Sequence, residues 1–126
     1  PATADNKAKA LQWISSFSPW GGTPIHDAVK AALKIKGVEI IILHTDGVNT
    51  SLYGKWWQEI DENLVWEVPQ AGKEIINDCK AKGVVVYTFG HCLATSTHYS
   101  QRVWNLGKQM LKDIAAATGG TFTEVK

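Results

Sequence analysis

Apolar and polar positions alternate along this chain in two different periods, and the change between them marks out the elements. From Asp5 to Phe17, Ala8, Leu11, Ile14 and Phe17 recur at helical spacing with Lys7 and Lys9 off that face. This predicts an amphipathic helix capped by Asp5 or Thr3. Ser18-Pro-Trp-Gly-Gly22 breaks it, and Thr23-Pro24 opens a second helix, with Thr23 as the expected cap and Pro24 at the first position. Ile25, Ala28, Val29, Ala32 and Leu33 form the buried face of that helix, and Gly37 closes the turn behind it. The pattern then becomes continuous. Val38-Glu-Ile-Ile-Ile-Leu-His-Thr-Asp-Gly47 reads as a parallel strand buried on both faces, with Asp46 at its carboxyl end.

The stretch from Gly47 to Pro69 has no clean period. It carries Tyr53, Trp56, Trp57 and Trp66, and a short helix is expected around Lys55 to Glu62. Beyond Pro69, Gln70 to Lys82 is expected as a third main helix with Ala71, Ile75, Ile76 and Cys79 inward, stopped by Gly83. Val84-Val-Val-Tyr-Thr-Phe-Gly90 is a second buried strand, and Gln101 to Ala117 a fourth helix burying Val103, Leu106, Met110, Leu111 and Ile114. Gly119-Gly120 ends that helix ahead of a third strand over Thr121 to Val125.

Helices alternating with apolar strands give an α/β fold: a three-layer, Rossmann-like parallel sheet of three core strands with helices on both faces. The first strand pairs with the second and has no partner on its other edge, an arrangement that invites another chain. The expectation is an incomplete doubly wound domain. It spans 1–126 as a single unit, with an aromatic-rich insertion at about 48–69.

Composition changes this picture little. The hydrophobic (44%) and charged (20%) fractions are those of an ordinary globular domain. A net charge of +1, with lysines scattered along the helices, supplies no basic stripe for nucleic acid. The apolar runs are too short for a membrane span. The chain opens on Pro1 with no methionine or signal-like segment, which points to a processed or excised product.

Four short motifs carry a family resemblance. They are Gly21-Gly-Thr-Pro-Ile-His-Asp-Ala-Val29, the apolar strand ending Thr45-Asp-Gly47, Gly83-Val-Val-Val-Tyr-Thr-Phe-Gly90, and Leu111-Lys-Asp-Ile-Ala-Ala-Ala-Thr-Gly-Gly-Thr-Phe122. In this order they resemble the later half of a von Willebrand factor A-type domain. The resemblance implies a non-enzymatic protein-binding or adhesion module. It also implies a magnesium or other divalent-cation site at the carboxyl edge of the sheet, and an extracytoplasmic setting, periplasmic or secreted.

By that resemblance Thr23 and Asp46 are two of the metal ligands. The family's Asp-x-Ser-x-Ser loop is absent, so the site is incomplete in this chain. One hydroxyl and one carboxylate would hold magnesium weakly or not at all. A partner segment or chain would then supply the missing strands and loop, or a second copy would close the edge.

Other readings of the same residues stand beside this one. Thr23 reads equally as a helix cap, and Asp46-Gly47 as a plain turn. A small phosphate-handling α/β hydrolase would use the Gly21-Gly-Thr23 helix start as an anion site and Asp46 as nucleophile or metal ligand. Self-assembly through the open strand edge needs no ligand. His44, His91 and His98, with Cys92, gather by topology near Asp46 and could form a transition-metal site, although their spacing fits no known signature.

Trp56, Trp57, Trp66 and Tyr53 are either anchors for a protein partner or a satellite core that holds the insertion down. Trp13, Trp20 and Trp104 are expected at or near the core. Cys79 and Cys92 stand at opposite ends of a strand roughly 20 Å long, too far for a disulfide, which needs Cα atoms within about 7 Å.

Overall fold

A computed structural model describes residues 3–16, 23–48, 61–91 and 99–125. The elements run α1 (Ala4–Ser15), α2 (Ile25–Ala32), β1 (Ile40–Thr45), α3 (Asp61–Lys82), β2 (Val85–Gly90), α4 (Gln101–Thr118) and β3 (Phe122–Glu124). The strands form one parallel sheet in the order β1-β2-β3, with Ile40 opposite Val85 and Thr88 opposite Phe122. The α/β class and the parallel three-stranded sheet are those expected from the sequence. So is the open edge: among the described residues β1 is paired on one side only.

The core lies on one face of this sheet. Ile41 of β1 and Val86 of β2 point into it, together with Ile25, Val29 and Leu33 of α2, Val68 and Ile75 of α3, and Met110, Leu111 and Ile114 of α4. Strand alternation explains the choice of residues, because every second side chain turns to the same side. Thr88 is the polar member of that buried row, and its hydroxyl donates to the Leu111 carbonyl at 2.9 Å, tying β2 to α4. Thr118 accepts from the Val86 N–H at 3.0 Å and makes a second tie.

Among the described residues no helix covers the other face at β1. Ile40 and Ile42 are 56% and 64% exposed, which corrects the expectation that β1 is buried on both faces. Its apolar run is continuous, yet α2, α3 and α4 cover only the Ile41 side. The helix α1 forms with Thr3 as its cap, the Thr3 hydroxyl accepting from the Asn6 N–H at 3.2 Å. Among the described residues it packs against none of the other elements. Leu11, Trp13 and Ile14 are therefore exposed, against the core or core-edge place expected for Trp13. Trp104, by contrast, is buried as expected, and Trp20 lies outside the described residues.

Two further expectations need correction. Helix α3 begins nine residues earlier than expected and runs through Pro69. A proline lacks the N–H that would bond four residues back and normally marks a boundary. Here Leu64, Val68, Ala71, Ile75 and Cys79 form one buried stripe that continues across it, and packing of that stripe overrides the local cost. Residues 61–69 thus belong to a main helix rather than to an insertion. At α2, Pro24 and not Thr23 holds the N-cap position, and no side chain caps the helix.

Candidate functional site

The carboxyl edge of the sheet is set by register. Thr45 ends β1 opposite Gly90, the last residue of β2, and Gly90 stands opposite Glu124 of β3. The ladder runs one step further, with the His91 N–H donating to the Thr45 carbonyl at 2.9 Å. Asp46 and His91 therefore leave neighbouring strands at the same level.

Asp46 is held in a compact turn. Its carboxylate accepts from the Val48 N–H at 3.1 Å and from the Thr45 hydroxyl at 3.3 Å, and that hydroxyl in turn accepts from the Gly47 N–H at 3.2 Å. Burial raises the Asp46 carboxyl above its ordinary range, and the bonds from Val48 and Thr45 offset part of that rise. The turn is clamped from below. Gly47 has φ +83°, and a Cβ there would stand 2.8 Å from the Gly107 carbonyl carbon of α4. Val48 follows into a second buried cluster with Leu64, Val103 and Trp104.

Topology directs Thr23 toward the same edge through α2. That helix packs against β1 and leads back into it, so its N-terminal end lies at the strand's carboxyl end. The Thr23 carbonyl accepts from the Ile25 N–H at 2.8 Å. A hydroxyl and a carboxylate suit a hard cation, yet they fill two of the six or more oxygen positions such an ion takes. Among the described residues no three His, Cys, Asp or Glu side chains gather into a metal-holding group. By donor type, a threonine hydroxyl and a carboxylate are compatible with two positions of a divalent-cation shell.

Linkage fixes the sign of a stability prediction at Asp46. Its carboxyl is raised in the folded chain, so its contribution to stability is fully present below about pH 4. That contribution is lost as pH rises through the raised folded value. Asp46→Asn keeps the acceptor oxygen and removes the half-buried charge. The variant is expected to melt above the parent at pH 7, with the difference shrinking toward pH 3, as read by thermal denaturation across that range.

Of the aromatic candidates, Trp66 is described, and it stands 81% exposed on α3. It lines a groove of about 560 Å³ with Pro69, Gln70 and Lys73 of α3 and Arg102 of α4. Tyr53, Trp56 and Trp57 lie outside the described residues. Among the described residues, Val48, Leu64, Val103 and Trp104 form a second buried cluster beside α3 and α4.

Of the histidines, His44 and His91 do come together, with Nδ1 and Nε2 3.2 Å apart, while His98 and Cys92 fall outside the described residues. Cys79 is free and buried in the core, where burial first and Asp78 second raise its thiol. Reasoning from sequence missed Gly107, although a glycine in the middle of an otherwise regular helix is a recognisable sign of close backbone approach.

No family model, curated protein or solved structure matches this chain.

Proposed function

We propose that the chain is a non-enzymatic protein-recognition module with a divalent-cation corner at Thr23 and Asp46, completed by groups from another segment or chain. The observation that carries this reading is Asp46 itself: a half-buried carboxylate at the end of an edge strand, its pKa raised by burial. A carboxylate in that state gains from a cation beside it, because the cation offsets the desolvation that burial imposes. Magnesium is the expected ion, with water and a partner's carboxylate filling the remaining positions. This agrees with the resemblance to a von Willebrand factor A-type domain.

The edge of β1 that no described strand pairs, with the exposed Ile40 and Ile42, supports the second half of the proposal. Parallel sheets are normally covered on both faces, and an apolar open face beside a bare edge favours added strands. Those strands come from a partner chain or from a second copy of this one. Trp66, exposed in its groove, suits an anchor for the recognised protein.

The test is cation binding read at Thr23 and Asp46, together with an assay for phosphate-monoester hydrolysis. Turnover that disappears in Asp46→Asn would overturn the binding-module reading in favour of a hydrolase.

A further inference from the structure

We infer that His44 and His91 form a two-histidine site for a divalent transition-metal ion of the zinc class, separate from the Thr23–Asp46 corner. His44 Nδ1 and His91 Nε2 stand 3.2 Å apart, and both side chains reach solvent. Two imidazole nitrogens bound to one zinc at about 2.0–2.1 Å are separated by about 3.3 Å at a tetrahedral angle, and by about 2.9 Å at a right angle. The observed separation lies between these values; the ring centroids stand 5.5 Å apart, which puts the two nitrogens nearly on the line between the rings, so one ion takes both once the rings swing to converge on it.

The surroundings hold the His44 ring and the His91 backbone. His44 lies flat on Phe89 of β2, the ring centroids 4.5 Å apart and the planes within 2°. Phe89 is its register partner across the parallel ladder, so the stack follows from the strand pairing itself. His91 is fixed at its backbone by the bond to the Thr45 carbonyl, one residue beyond His44. The pair therefore bridges the ends of β1 and β2, and an ion between them would staple the two strands together.

The chemistry separates this site from the cation corner. Neutral imidazole suits zinc, nickel or copper, whereas magnesium prefers oxygen. No third His, Cys, Asp or Glu joins the pair among the described residues, and the remaining positions are open to water or a further donor. A proton shared between the two rings would give the same nitrogen separation, and the experiment distinguishes the two.

Zinc chloride titrated calorimetrically into the full chain is expected to give one ion per chain. Binding should weaken about tenfold or more in His44→Ala and in His91→Ala. The double variant should be little worse than either single one, because both side chains act on one ion. Asp46→Asn should bind zinc as the parent does. Zinc should also raise the melting temperature of the parent and of Asp46→Asn, but not of the histidine variants. Because both histidines are exposed, far-UV circular dichroism should show all variants folded. Absence of zinc heat above the blank would overturn the assignment, as would equal binding in the histidine variants or loss of binding in Asp46→Asn.

Discussion

Gly47→Ala is expected to lower folding stability by about 2–5 kcal/mol, more than a single added methyl group normally costs. Two effects combine. The backbone at Gly47 is left-handed at φ +83°, which costs an L-residue roughly 1–2 kcal/mol. The new Cβ would also stand 2.8 Å from the Gly107 carbonyl carbon and 2.9 Å from its oxygen. These are backbone atoms that cannot swing aside, and overpacking of this kind costs about 1–3 kcal/mol. Gly37→Ala separates the two effects. Gly37 has φ +78° and nothing within 4 Å of the added carbon, so only the conformational cost of roughly 1–2 kcal/mol applies. Urea denaturation of the two variants measures the difference, and that difference is the contact between the Asp46 turn and α4.

Leu111→Ala carries the second large effect, a loss of about 2–5 kcal/mol. Leu111 is fully buried where α4 crosses the sheet, and its backbone carbonyl accepts the Thr88 hydroxyl. Truncation leaves a cavity between elements that are already tied by hydrogen bonds and cannot collapse freely into it. Domains are stable by about 5–15 kcal/mol, so this one change can remove much of the total. Leu11→Ala is the matching control. The same residue type stands 65% exposed on α1, and its removal should stay within about 0.5 kcal/mol. A large loss at Leu11 would place α1 in the core after all.

These contrasts show what could and could not be read from the chain. The three strands, the parallel order and the end of α4 at Gly119 follow from local pattern, because β-branched runs and turn residues act over a few positions. Asp46 at a strand end was legible for the same reason. The extent of α3 was not. Pro69 is a strong local signal, and only the stripe from Leu64 to Cys79 packing on the rest of the core outweighs it. Nor was the open face of β1 legible, since Ile40 and Ile42 look the same in sequence whether or not a layer covers them. The meeting of His44 and His91 followed from the expected strand order, whereas the approach of Gly47 to Gly107 joins residues far apart in the chain. Such contacts are set by register and crossover, which spacing along one segment does not encode.

Paramagnetic broadening tests most directly the proposed sharing of one divalent cation by Thr23 and Asp46. Mn²⁺ would be titrated into the ¹⁵N-labelled chain, and an excess of Mg²⁺ would then compete it away. Amides of Thr23, Ile25, Gly47 and Val48 should broaden first and recover with magnesium. The effect should vanish in Asp46→Asn and persist in His44→Ala. Broadening spread over the surface carboxylates, or unchanged in Asp46→Asn, would contradict the account.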